Sequence, residues 1–224
     1  MDEFQRAEMV EQAISSAEAV NKDIKLAGSV YITDLRFRII NSNDIDVNHR
    51  ITVNGMSVNA ISELDQKGYG RQDQVTRYPE TLNPDNLAQR AAELSVSACK
   101  AKSYPTGDYE VILSASATAS ILRFMAFAFN ATGYHEGQSF IVDKIGEKIL
   151  DEKLNLYDDP LDNSTMLASP IDGEGSIKRT IPLIEEGIPK TVIYNSFLAS
   201  RYLKDKTKTT GHHVIPFSDY FMGG

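Results

Sequence analysis

His135 and Glu136, in the stretch YHEGQSF, are the first residues whose types could do chemistry. A His-Glu pair opens the HExxH zinc motif. One helical turn there sets two imidazoles on a common face, and the glutamate activates a metal-bound water. The spacing does not complete the motif. A second histidine is needed at 139 or 140, where Ser139 and Phe140 stand, and Gly137 weakens the helix the spacing requires. A loop pair that is exposed or in ordinary hydrogen bonds is the plainer reading of His135. His212-His213 follows Thr210-Gly211. On a strand, adjacent imidazoles point to opposite faces, so structural or substrate-contacting use outweighs metal binding. Asp172 and Glu174, in SPIDGEGS, would face the same way on extended backbone and could share acid–base work. A solvated acidic turn is the competing reading. Asp158-Asp159-Pro160, with Asp162 and Asn163 after it, lacks the glycine and distal glutamate of an EF-hand and reads as a turn. No GxSxG elbow, GxxxxGK[ST] phosphate loop or GxGxxG fingerprint occurs.

The elements that must position these residues follow from periodicity. Phe4, Ala7, Val10, Ala13, Ile14, Ala17 and Val20 recur at helical spacing over 3–20. Leu35, Phe37 and Ile39 then alternate with Arg36 and Arg38. After NSND the alternation resumes at Ile45, Val47, His49, Ile51 and Val53, and Asn54-Gly55 reads as a turn before Met56, Val58 and Ala60. Strands broken by turn residues predict an antiparallel meander. Residues 62–82 hold one strand or a long loop. Asn83-Pro84 starts a helix reaching about Lys102. YEVIL (109–113) predicts a short strand, and the apolar run 117–129 a buried helix. SIKRTIPLI and IPKTVIY read as two strands joined at Glu185-Glu186-Gly187, with NSFLASRYLK a short capped helix. The fold class is α+β, with a twisted antiparallel or mixed sheet and packed helices. The ending PFSDYFMGG, with no closing helix or strand, leads to the expectation of a piece of a larger two-domain protein.

Composition bounds the function. With 224 residues the chain buries a real core, and 42% apolar with 24% charged residues is ordinary for a globular protein. A net charge of −8 argues against nucleic acid as a partner. No apolar run approaches the ~20 residues of a membrane span, and the acidic, amphipathic N-terminus is no secretory signal. Cys99 is the single cysteine, which rules out an internal disulfide and a multi-cysteine zinc site. A cytoplasmic setting is expected.

The stretches ATASILRFMAFAFNATGYHEGQSFIVDKIGEKI, LNLYDDP, ASPIDGEGSIKRTIPLIEEGIPKTVIYNSFLASRYL and TTGHH occur in that order. Together they resemble the TldD/PmbA family, once called modulators of DNA gyrase. The resemblance implies that 106–224 is the family's C-terminal domain, cut short at its end, and that 1–105 is its more variable middle region. The TldD branch resembles a zinc peptidase with HExxxH on the helix before the S-F segment, completed by a distant cysteine to which Cys99 does not correspond. Laid on this sequence, the first histidine falls on Arg123, the glutamate on Phe124 and the second histidine on Ala128. The chain therefore looks like the PmbA or TldE branch, the metal-free partner in a TldD–TldE heterodimer. The zinc would sit in a TldD-type partner, and this chain would carry no cofactor. His135, Asp172, Glu174, Thr210, Gly211 and His212 are then candidates for peptide binding or cavity lining. Two alternatives stand beside this reading. One is a metal-independent site built from Asp172, Glu174 and His212. The other is a stand-alone peptide-binding homodimer.

Overall fold

The structure is a computed structural model that describes residues 2–64 and 66–213; the PFSDYFMGG ending lies outside the described residues. The chain forms two compact units. The first comprises the described residues of Met1–Arg36, Arg50–Asp108 and Ser164–Met166, and the second those of Phe37–His49, Tyr109–Asn163 and Leu167–Gly224. The architecture is α+β with antiparallel sheets.

In the first unit, helix α1 (Glu3–Val20) starts in a capping box. Asp2 Oδ1 accepts from the Gln5 amide at 2.9 Å, and the Gln5 side chain accepts from the Asp2 amide at 2.8 Å. Strands β1 (Lys25–Ile40), β2 (Asp46–Glu63) and β3 (Lys67–Thr76) lie side by side in that order. The NSND turn joins β1 to β2, with Asp44 in the left-handed region that Asp tolerates. Helix α2 (Pro84–Ala98) is capped by Asn83, whose Oδ1 accepts from the Asn86 amide at 3.0 Å, and Pro84 takes the first turn. It ends four residues short of the expected limit. Small side chains on facing surfaces let these layers meet closely: Ala13 and Ala17 of α1, Ala88, Ala91 and Ala92 of α2, and Ala60 of β2 share one core. Gly70 of β3 belongs to the same fit, because a Cβ there would run into the Ala91 carbonyl.

Asn54-Gly55 is not a turn. β2 runs straight through it, paired Asn54 to Thr76 and Gly55 to Val75. The Asn54 side chain is buried and donates to the carbonyls of Thr76 (3.3 Å) and Arg77 (3.1 Å), while the Tyr31 ring lies where a Cβ on residue 55 would project. The pair serves side-chain bonding and ring packing, which local composition does not distinguish from a hairpin.

The second unit holds α3 (Ala115–Phe127), α4 (Ala131–His135), β4 (Leu156–Asp158), β5 (Ile181–Glu185), β6 (Ile188–Pro189) and α5 (Ser196–Leu203). β5 and β6 form the expected hairpin, shorter than the sequence indicated. Its two loop residues, Glu186 and Gly187, both have positive φ, as a tight primed turn requires. Asn195 caps α5 as expected, and Lys204 closes it in the left-handed conformation. Phe129, Ile141 and Ile184 anchor the core at zero exposure.

Two expectations fail here. YEVIL belongs to no strand, and Tyr109, Val111, Ile112 and Leu113 are exposed. Residues 115–127 are helical but none of them is buried. An apolar run indicates surface that favours cover; it does not indicate that this chain supplies the cover.

Candidate functional site

The carboxylates and histidines singled out by the sequence gather on one side of the second unit, around the start of α5. Asp172 is 1% exposed and fully engaged. Its Oδ1 accepts from the amides of Glu174 (2.9 Å) and Ser176 (2.8 Å), and its Oδ2 from the amide of His213 (3.0 Å). Three N–H donors compensate the burial of one carboxylate. Glu174 reaches the first turn of α5, where its two oxygens accept from the Ser196 amide (3.1 Å) and hydroxyl (2.7 Å). An anion at a helix N-terminus is favoured by the unpaired amides and the dipole. The His213 ring lies with Nδ1 3.4 Å from Glu174 Oε1, an electrostatic contact too long and misaligned for a hydrogen bond.

Residues 209–213 form a strap over this region and belong to no helix or strand. Thr210 Oγ1 accepts from the Tyr194 amide at 2.8 Å and stands 3.0 Å from the Tyr194 carbonyl and 2.9 Å from His212 Nδ1. The other ring nitrogen of His212 bonds Asp158 at the end of β4. The His212 side chain is 11% exposed and that of Asp158 33%. The hydrogen bond from His212 holds the Asp158 carboxyl below its usual range; burial opposes this, and the charges of His212 and Lys178 add to it. Gly211 adopts φ +76°, next to the Ile177 carbonyl and the Lys178 backbone.

Asp158, His212 and Thr210 thus follow the order carboxylate, imidazole, hydroxyl used in nucleophilic catalysis. The chemistry does not follow from the order. Thr210 is 9% exposed, and its hydroxyl accepts from the Tyr194 amide, donates to the Tyr194 carbonyl and has His212 Nδ1 against it at 2.9 Å. No face of the hydroxyl is open to an incoming carbonyl. The trio Asp172, Glu174 and His212 is likewise not one site, because both carboxylates turn to His213 and α5 while His212 turns to Asp158. The arrangement fastens the strap.

His135 lies at the end of α4, with Nε2 3.0 Å from the Tyr194 hydroxyl and its ring stacked on Tyr202 at 4.1 Å and 9°. Tyr134 meets it edge-on at 5.2 Å. Burial, and then Tyr134, raise the Tyr194 hydroxyl above its ordinary pKa. Tyr194 therefore joins the two neighbourhoods: its backbone holds Thr210 and its hydroxyl holds His135. Tyr194 and Ser196 carry no signal in the sequence, and the partners of Asp158 and His213 are not legible there. The Asp158–His212 pair spans 54 positions, and no local spacing announces it.

Of the positions where the family's zinc motif would fall, Arg123 and Phe124 lie on α3 and Ala128 is its C-cap. Phe124 is 74% exposed. A guanidinium, a phenyl and a methyl offer Zn²⁺ no lone pair, so these residues do not fit the metal. Among the described residues no three His, Cys, Asp or Glu side chains group as a metal site. Cys99 is buried in the first unit, with Sγ near the carbonyls of Ser95 and Ser62. Among the described residues no helix is long and apolar enough to cross a membrane.

The PmbA/TldA metallopeptidase central domain matches residues 2–98, and the PmbA/TldA metallopeptidase C-terminal domain matches residues 106–221. An uncharacterized protein of Methanocaldococcus jannaschii is 27% identical over 202 residues, covering 88% of this chain and 47% of that protein. The crystal structure of a proposed modulator of a DNA gyrase from Thermotoga maritima superposes with a TM-score of 0.85 at 22% identity, covering 96% of this chain and 50% of that one. TldE from Thermococcus kodakarensis gives 0.79 at 21% identity, covering 94% and 48%. At these identities the two structures speak for the fold alone. The chain spans about half the length of the relatives it matches. Through both matched domains, the chain belongs to the PmbA/TldD family.

Proposed function

We propose that the chain acts as the metal-free, TldE/PmbA-type subunit of a TldD–TldE-type peptidase complex that cuts small or unfolded peptides. The zinc and the bond-breaking step belong to the TldD-type partner, and this chain contributes scaffold, interface and part of the peptide-binding wall. The observation that carries the reading is the content of α3: Arg123, Phe124 and Ala128 stand at the motif positions, and none can hold zinc or deprotonate a water. The helix's uncovered apolar residues, Ile121, Phe124 and Phe127, suit a wall or interface. The strap chemistry supports the same role, since Asp172, Glu174 and Thr210 are committed to holding backbone and are not poised for reaction. His135, shielded by Tyr202 and bonded to Tyr194, is a rigid lining element.

Peptide hydrolysis by this chain alone, by a TldD-type protein alone and by the mixture tests the proposal. Hydrolysis that needs the partner and stops with a zinc chelator is expected. Robust, chelator-insensitive hydrolysis by this chain alone would overturn it. A stand-alone peptide-binding homodimer draws on the same exposed α3 residues, and solution mass with and without the partner separates the two readings.

A further inference from the structure

In the first unit an open groove of about 110 Å³ lies between α1 and β1. Val10, Ala13 and Ile14 line it from the helix, the Leu26–Val30 stretch from the strand, and Met56 and Val58 from beneath. Val10 and Ile14 are both 44% exposed, although they share a face with the buried core alanines. β1 is an edge strand: among the described residues β2 pairs it on one side and nothing pairs it on the other. Such edges are ordinarily blunted by charges, proline or bulges. Here Leu26 through Thr33, LAGSVYIT, carries neither charge nor proline, and Ala27, Gly28 and Ser29 leave the backbone accessible.

The helix side of the groove's rim has a sign. Glu11 lies three before Ile14 and Glu18 four after it, so these carboxylates neighbour the apolar pair on the helix surface. Both are exposed, and neither forms an ion pair among the described residues. The helix's single cation, Arg6, points its Nε at the Asp2 carbonyl at 3.4 Å. A second copy of this chain would bring a second acidic α1 to the same rim, which like-charge repulsion disfavours.

We infer that the β1 edge is a strand-addition site for an extended peptide segment whose apolar side chains enter the α1–β1 groove and whose flanking residues are basic. Backbone pairing supplies affinity, the groove selects alternate apolar side chains, and the rim carboxylates select Lys or Arg at the ends. The inference concerns the first unit and does not rest on the zinc-partner reading.

The test is a binding titration on this chain alone. The probe is a short synthetic strand of alternating valine and threonine with lysines at both ends. The lysine-ended peptide binds; its glutamate-ended counterpart binds about tenfold more weakly or worse. Methylating the peptide's amides on one edge weakens binding by about tenfold or more, and methylating the other edge leaves it nearly unchanged, because only one edge pairs with β1. Ile14→Lys fills the groove with charge and weakens binding by about tenfold or more, whereas exposed Glu11→Lys, which does not touch the fold, weakens only the lysine-ended peptide. Equal binding of the two methylated series overturns the proposal, as does binding that survives Ile14→Lys. A chain that binds no peptide overturns it too, and if that chain is a dimer that Ile14→Lys dissociates, the edge belongs to a second copy.

Discussion

Asp172 and Glu174 were legible as a pair that faces one neighbourhood, but their task was not. The alternate spacing brings both to the strap and α5, where their oxygens take backbone amides and a serine instead of protons from a substrate. Replacing Asp172 with alanine strands three part-buried amides, so a loss of ~2 kcal/mol is expected in chemical denaturation. A loss under ~0.5 kcal/mol, the scale of a neutral surface change, would contradict this role. Asp158 makes a pH prediction. Its carboxyl is more acidic in the folded chain, chiefly because of His212. The stability it adds is complete above the unfolded carboxylate value of about 4 and is lost as pH falls through the lower folded value. Asp158→Asn should flatten the acid limb of a stability-against-pH curve. An unaltered acid limb would show that the pair does not contribute. The turn read at Asp158-Asp159-Pro160 is present at Pro160 and Leu161, while Asp158 itself ends β4 and bonds a histidine 54 residues away.

At the scale of elements, local signals served well where they were self-sufficient. The Asp2 and Asn83 caps, the Glu186-Gly187 hairpin and Asn195 before α5 each depend on groups within a few residues. They failed where a distant group set the outcome. Asn54-Gly55 pairs with β3 and lies beneath Tyr31, and the apolar α3 finds little cover within the described chain. The exposure of α3 has a consequence that folding and assembly measurements separate. Phe124→Ser removes an exposed ring, so unfolding free energy should change by no more than ~0.5 kcal/mol, while association with a TldD-type partner weakens. A large loss of stability in the isolated chain would show that Phe124 is packed at home.

At the scale of the whole molecule, a net charge of −8 is compatible with the proposed role in handling polypeptide. The family was legible from ordered motifs, and three of them meet in one fastening: DDP through Asp158, DGEG through Asp172, and the TGH strap. The central claim is that the metal of this peptidase family sits in the partner. Zinc content by elemental analysis, measured on this chain purified alone and on its complex with a TldD-type protein, tests it directly. Negligible zinc is expected in the isolated chain and about one zinc per TldD-type subunit in the complex. Stoichiometric zinc in this chain by itself would contradict it.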